Sequence, residues 1–272
     1  MSKLGIIAGG GNLPKKIIQA CQQTKRDHFV IGFEGMTDPD CVEKSPHYWS
    51  SLGQINATLE KFKEENVTEV VFAGRIERPS FSALKMDKRA ASLLAKAALR
   101  GFGDNAVLTL IIEEIEKDGF KVVAAQDLLD DLLAPEGALG QIEPDAQALS
   151  DIKKGQEILT QMSPMDIGQS VVVQEGMVLG IEAIEGTDAL IDRCASVKRD
   201  GVEGILVKMR KVGQDNRADL PTIGPETLKK AKAAGLRGIA IEARGTIIIN
   251  KDEVIDYANK SNMFVVGVKA AS

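Results

Sequence analysis

Residues 3–22, KLGIIAGGGNLPKKIIQACQ, constrain the fold more than any other stretch: a compact apolar run stops at three glycines, and a helical pattern follows at once. A short apolar run of this kind suits a strand covered on both faces, which requires helices packed against each side of a parallel sheet. Ile17, Ile18 and Cys21 share one helical face, so the segment after the glycines is expected to pack back on that strand.

The alternation continues. HFVIGF (28–33), TEVVFAG (68–74) and FKVVAA (120–125) read as further strands. INATLEKFKEEN places Ile55, Leu59 and Phe62 at helical spacing, and KRAASLLAKAALRG favours a helix ending at Gly101. Asp104 is placed to cap the next helix, which ends at Gly119. Residues 1–133 are therefore expected to form a Rossmann-like parallel sheet, an N-terminal nucleotide-binding-like domain.

Residues 134–147, APEGALGQIEPDAQ, carry two prolines, two glycines and little periodicity, and read as a linker. Residues 148–272 then read as a mixed α/β domain. QSVVVQEGMVLGIEAI is expected to form two antiparallel strands around Glu175-Gly176, followed by a helix near Asp188 and a strand in EGILVKM (203–209). A helix runs from Pro225 to Gly235, and RGIAIEARGTIIIN reads as a second hairpin. Asn250 with Glu253 suggests a capping box, and MFVVGV (263–268) a closing strand. The fold class is α/β in two domains.

Composition excludes several functions. A net charge of −5 gives no basic field for a nucleic-acid backbone, and aromatics at 4% give few stacking platforms, so no nucleic-acid partner is expected. Cys21, Cys41 and Cys194 show no metal spacing and read as free thiols of a reducing cytoplasm. Two histidines, His28 and His47, leave little for a zinc hydrolase or a Ser-His triad. No apolar stretch approaches the about 18 residues of a membrane span.

Several patterns could carry chemistry. AGGGNLP (8–14) puts glycines between a strand and a helix start, where backbone N–H groups can meet a phosphate. Glu34 ends the second strand, where Rossmann folds hold ribose hydroxyls. The dinucleotide fingerprint breaks at Pro14, so a nucleotide other than NAD is expected, or a tight turn alone. Arg75 and Arg78, then Lys85, Lys88 and Arg89, follow a strand's carboxyl end, as phosphate ligands or as a solvated basic loop. Glu185, Thr187 and Asp188 form a helix cap or a site for a hard cation. Lys208, Arg210, Lys211 and Arg217 gather basic charge before Asp219, whose carboxylate, at a stiff Leu-Pro-Thr bend, reads as plain helix entry or as a catalytic group that binds magnesium or accepts a proton from water.

LGIIAGGGNLP, FAGRIERPSFSAL, DIGQSVVVQEGMVLGIEAIEGTDAL and RADLPTIGPET occur in this order, and the chain resembles the UDP-2,3-diacylglucosamine pyrophosphatases of lipid A biosynthesis, in the form without a metallophosphoesterase fold. The resemblance implies a smaller N-terminal and a catalytic C-terminal domain holding the substrate between them. It implies Mg2+-dependent hydrolysis to UMP and 2,3-diacylglucosamine 1-phosphate, with water attacking the sugar-side phosphorus. Asp219 would be the essential aspartate, with Arg217 and Asp188 in catalysis and Asp219 and Asp188 at the metal. Gly10, Gly11, Asn12, Leu13, Arg75, Asp104, Gln169, Glu185, Gly186, Thr187, Thr222 and Gly224 would contact substrate. A homodimer in the cytoplasm, with transient contact at the inner membrane surface, is expected. Another nucleotide-sugar enzyme, such as a dehydrogenase, and a non-catalytic acyl-sugar carrier are the competing readings.

Overall fold

The computed structural model describes residues 2–76, 85–99, 104–129 and 131–270, with backbone alone for residue 99 and residues 104–106. The chain forms two compact units, Met1–Asp130 with Asp215–Asp219, and Asp131–Gln214 with Leu220–Ser272.

The first unit alternates β1 (Leu4–Ala8), α1 (Leu13–Gln23), β2 (His28–Phe33), α2 (Pro39–Val42), β3 (His47–Ser50), α3 (Ile55–Glu64) and β4 (Glu69–Ala73), then α4 (Lys88–Leu99), α5 (Asp104–Lys117) and β5 (Lys121–Val122). The strands pair in parallel in the order β3-β2-β1-β4-β5, the Rossmann order expected from the alternation. Every residue of β1 is buried, as a central strand covered on both faces must be. Pro14 lies in the first turn of α1, where its missing N–H costs no helical bond. Phe62 and Phe120 meet edge to face, 5.9 Å between ring centroids, in a core that also takes Ile7, Ile31 and Ile112. The expected helix end at Gly101 lies outside the described residues.

Two of the expected phosphate-loop glycines serve a backbone approach. The Gly9 N–H donates to the Ala73 carbonyl at 2.7 Å, and Gly10 and Arg75 exchange backbone hydrogen bonds at 2.8 and 3.0 Å. A Cβ on Gly9 would collide with the Arg75 carbonyl oxygen, and one on Gly74, at φ +87°, with that of Gly10.

The second unit contains β6 (Gly137–Ala138), α6 (Ala146–Met162), β7 (Ser170–Gln174), β8 (Met177–Ile181), α7 (Gly186–Ala195), β9 (Ile205–Lys208), β10 (Thr222–Ile223), α8 (Pro225–Ala233), β11 (Gly238–Glu242), β12 (Ile247–Ile248), α9 (Lys251–Lys260) and β13 (Phe264–Val268). Its main sheet runs β6-β13-β11-β9-β7-β8, parallel at its centre and antiparallel toward both edges. Alternate residues divide between two cores. Val172, Leu206, Ile239 and Val265 pack with α7, α8 and α9, whereas Val171, Val207, Ala240 and Val266 pack with α6.

Three local expectations are corrected. RGIAIEARGTIIIN is no hairpin: β11 lies between parallel neighbours β9 and β13, and β12 leaves to pair in parallel with β10. Both edges of β11 are already bonded, so no partner position remains for a returning strand. Residues 134–147, read as a linker, bury Ala134, pair β6 with β13 and cap α6 through Asp145, which accepts the Ala148 N–H at 2.8 Å. Much of this stretch is fastened by backbone contacts, which leave no apolar periodicity to read. Asn250 is at φ +53° with its side chain on Glu253, 2.8 Å from Oε1, rather than in a capping box.

The Gly9 approach yields a test. Gly9→Ala forces two hydrogen-bonded backbones apart and is expected to lower stability by about 1–3 kcal/mol. Urea unfolding would show this as a lower midpoint at unchanged slope.

Candidate substrate-binding site

In the first unit, Gly10 and Arg75 meet beyond the carboxyl ends of adjacent strands β1 and β4, where open parallel sheets bind ligands. Gly11 is at φ +89°, with nothing within 4 Å of where a Cβ would stand. Asn12 is exposed and makes no side-chain cap bond to α1. Leu13 is buried, so its contribution toward a ligand would be its N–H at the helix start. Arg75 is exposed. The side chains of Arg78 and Asp104 lie outside the described residues. Arg89, read as a phosphate ligand or as part of a solvated basic loop, instead joins α4 to α5: it bonds Glu114 at 2.9 Å and the carboxylate of Asp118. That guanidinium holds the Asp118 carboxyl down at about 2.

The segment Asp215–Asp219 is fastened within this unit. The Arg217 fork closes on Asp215 at 2.8 and 3.0 Å, and its Nη1 reaches Glu116 at 2.5 Å. Gln126 donates to the Asn216 carbonyl at 2.9 Å, and Ala218 packs on the core of Ile7 and Ile31. The Asp219 N–H turns back to the Asp215 carbonyl at 3.3 Å. Arg217 lowers the Asp215 carboxyl chiefly through this hydrogen bonding, and burial opposes it.

In the second unit a buried ammonium organises the site. Lys208, 3% exposed at the end of β9, donates to Thr187 Oγ1 at 2.7 Å and Ser170 Oγ at 3.2 Å, with Glu182 at 3.9 Å. The Thr187 hydroxyl donates in turn to Glu182 at 2.9 Å, and the Gln169 N–H approaches the other carboxylate oxygen at 3.4 Å. Among the described residues, Gln169 Oε1 is buried without a hydrogen-bond partner. Burial pushes the Glu182 carboxyl up, but the charge of Lys208 and hydrogen bonds from Ser170, Thr187 and the Gln169 backbone outweigh it, and the net shift is downward.

Around this cluster, Gly186 opens α7 at φ +79°. Glu185 is held by Arg193 at 2.8 Å and by the Ala183 N–H at 3.2 Å. Asp188 is exposed on the first turn of α7, and its charge is felt by Lys230, which bonds Asp192 at 3.0 Å. Thr222 is exposed on β10, and Gly224 stands at the N-terminus of α8, its N–H donating to Thr227 Oγ1 at 3.3 Å.

The basic residues expected to surround Asp219 are each matched to another carboxylate. Lys208 goes to Glu182, Arg210 to Glu242 at 3.3 Å, Lys211 to Asp166 at 2.5 Å, and Arg217 to Asp215 and Glu116. Sequence reasoning missed Glu182, Glu242, Asp166 and Glu116 because they lie far along the chain from their partners, whereas Asp215 stands only two residues before Arg217. Lys208 itself gave a signal: it alternates with Leu206 in ILVK, at a position whose partner across the strand pattern is core. Among the described residues, no three His, Cys, Asp or Glu side chains gather as a metal cage.

The buried pair yields a prediction. Lys208→Met leaves Glu182 buried without its cation and is expected to cost about 3–5 kcal/mol. Lys208→Met with Glu182→Gln together should recover part of that loss in thermal or urea melts. Because the folded Glu182 pKa lies below its ordinary 4.5, its contribution is complete above that value and lost as pH falls through the folded pKa. Glu182→Gln should remove that acid-side loss from the stability–pH curve.

Comparison with known proteins matches both halves. The LpxI N-terminal domain covers residues 3–132 and the LpxI C-terminal domain residues 135–266. The chain is 36% identical over 275 residues to the UDP-2,3-diacylglucosamine pyrophosphatase LpxI of Caulobacter vibrioides, covering 98% of each. A crystal structure of the biotin carboxylase subunit of pyruvate carboxylase overlaps 63% of this chain and 35% of its own, at 12% identity and a TM-score of 0.27, a likeness too slight to bear on the fold. With both domains matched in order and a relative aligned from end to end, the chain belongs to the LpxI family.

Proposed function

We propose that this chain hydrolyses the pyrophosphate bond of UDP-2,3-diacylglucosamine, giving UMP and 2,3-diacylglucosamine 1-phosphate in lipid A biosynthesis. The observation that carries this is the 36% identity, over 98% of both chains, to a UDP-2,3-diacylglucosamine pyrophosphatase. In this reading water adds to the sugar-side phosphorus and the bond to the UMP oxygen breaks. Asp219 accepts a hydrogen bond from that water and orients it. Arg217, already closed on Asp215 and Glu116, holds the turn that presents Asp219.

Gly10, Gly11, Asn12 and Leu13 offer backbone N–H groups, and Arg75 an exposed guanidinium, to the diphosphate. Gln169, Glu185, Gly186, Thr187, Thr222 and Gly224 are assigned to the acylated sugar phosphate, and Asp104 to the substrate from the start of α5.

Mg2+ commonly keeps several waters and binds through one or two carboxylates plus substrate phosphates, so it requires no protein cage. Asp188, exposed, and Asp219, part-exposed, each suit that role as single carboxylates. When bound, the cation would offset charge on the diphosphate oxygens. Among the described residues, no helix is long and apolar enough to cross a membrane. A homodimer in the cytoplasm, touching the membrane surface transiently, belongs to the same proposal.

UMP release from UDP-2,3-diacylglucosamine tests it. Wild-type protein should turn over with Mg2+ or Mn2+ and stop on chelation. Asp219→Asn should lower kcat by about 10²–10⁴-fold with KM little changed. No turnover with either metal would remove the activity, and an Asp219→Asn enzyme at the wild-type rate would remove the residue assignment.

A further inference from the structure

A row of polar side chains crosses the second sheet where β8, β7 and β9 meet the start of α7. Ser170 stands opposite Lys208 on the neighbouring strand, and the Glu182 N–H donates to the Ser170 carbonyl at 2.9 Å. Ser170 and Lys208 lie two residues from Val172 and Leu206, which enter the core shared with α7, α8 and α9, so their side chains point to that same face. Ser170, Glu182 and Lys208 are buried there and Thr187 is half-buried.

A threonine hydroxyl has one proton to give. That of Thr187 goes to Glu182 at 2.9 Å, and its oxygen accepts from Lys208 at 2.7 Å. The hydroxyl is thereby turned into the protein, and the donors that the first turn of α7 can offer a ligand are its backbone N–H groups. Where those groups aim depends on how the helix is turned. Further along, Leu190 and Cys194 settle on Gly180 of β8, where a Cβ would stand 2.9 and 2.7 Å from their side chains. That contact sets the distance between helix and sheet, but apolar contact has no preferred direction. The hydrogen bonds of Thr187 do have one, and they lock the first turn. Glu182 is itself anchored from the loop before β7: a Cβ on Gly168 would meet the Glu182 carbonyl oxygen at 2.0 Å, and the Gln169 N–H approaches the carboxylate at 3.4 Å.

We infer that Lys208 and Glu182 are positioning residues of the pyrophosphatase reaction: without touching substrate they hold the Thr187 hydroxyl, and through it they aim the first turn of α7 at the acylated sugar phosphate. The inference rests on the pyrophosphatase reading and adds the two buried groups on which that binding turn depends.

UMP release from UDP-2,3-diacylglucosamine is measured with Mg2+ on full-length variants, well below their melting temperatures. Lys208→Met with Glu182→Gln, the combination that recovers stability, should still raise KM about tenfold while kcat stays within about twofold of wild type. Thr187→Val, which keeps the shape and removes the hydroxyl, should do the same, and Thr187→Ser should keep KM within about twofold of wild type. Asp151→Asn is the stability control. Asp151 is buried and accepts the Glu175 and Gly176 N–H groups at 3.0 and 2.7 Å, at the far end of β7 from Ser170, so its loss should lower the melting temperature and leave KM unchanged. In the protein without substrate, amide exchange over residues 183–188 should be about tenfold faster in the double variant, with α8 unaffected. A double variant with the KM or the exchange of wild type would overturn the inference and leave the pyrophosphatase reading standing. So would an Asp151→Asn enzyme whose KM rises equally, or a KM raised by Thr187→Val and not by the double variant, which would give the hydroxyl to substrate directly. Wild-type protein without turnover would remove the reading, and the inference with it.

Discussion

The buried ammonium of Lys208 constrains the second unit more than any other group. A cation at 3% exposure is costly unless its protons are taken up, and here they go to Thr187 and Ser170, beside Glu182. Those partners come from the start of β7, the turn after β8 and the first turn of α7. Satisfying one charge therefore fixes the direction in which α7 presents its N-terminal N–H groups. Glu185, Gly186 and Thr187 are the residues that family resemblance assigns to substrate, and their position is set by a residue that need not touch substrate at all. Apolar packing alone would not fix them as well: α7 enters the core through Leu190, Ile191, Cys194 and Ala195, further along the helix.

In the first unit glycine does two kinds of work, and the difference separates scaffold from site. At Gly9 and Gly74 the absent Cβ is replaced by another backbone, which closes β1 against the loop after β4. At Gly11 and Gly35 positive φ turns the chain and leaves open space. The run GGG looks uniform in the sequence, yet its first member is occupied by the fold and its third is available to a ligand. A broken dinucleotide fingerprint is consistent with this division, because the fingerprint asks of Pro14 a helix–strand closeness that this chain achieves through Gly74, whose Cβ position lies 3.1 Å from the Pro14 ring.

The strand–helix alternation of the first unit was legible because each central strand is buried on both faces and leaves a continuous apolar run. The edge strand β3, HYWS, left no such trace, because only Ser50 in it is buried. In the second unit the antiparallel pair around Glu175-Gly176 and the helix starting at Pro225 followed from local turn chemistry. The course of β11 and β12 did not, since parallel pairing depends on residues distant in sequence, and β12 has only two residues to declare it. α6 escaped notice because its apolar positions are diluted by Lys153, Lys154 and Gln156, and by Gly155, which packs against Val207. Among candidate site residues, charge was readable and pairing was not. Arg89, Arg210, Lys211 and Arg217 all looked like free cations until the fold brought acidic partners to them.

That pairing changes what the Arg-Ala-Asp-Leu-Pro sequence accomplishes. An arginine beside an aspartate suggests two charges aimed at one substrate, but the Arg217 fork is consumed by Asp215, two residues earlier, and by Glu116. Its effect is to close residues 215–219 into a turn, helped by Gln126 on the Asn216 carbonyl and by Ala218 in the core. Immediately after Asp219 the restraint changes hands: Pro221 fixes φ, its carbonyl accepts the Ile247 N–H at 2.8 Å, and β10 pairs with β12. Asp219 thus stands at a junction where the preceding residues are held by ion pairs and the following ones by a backbone ladder. Its own oxygens take no part in either of the Arg217 ion pairs, and the stiffness visible in the sequence is, on this side, that of the turn which precedes it.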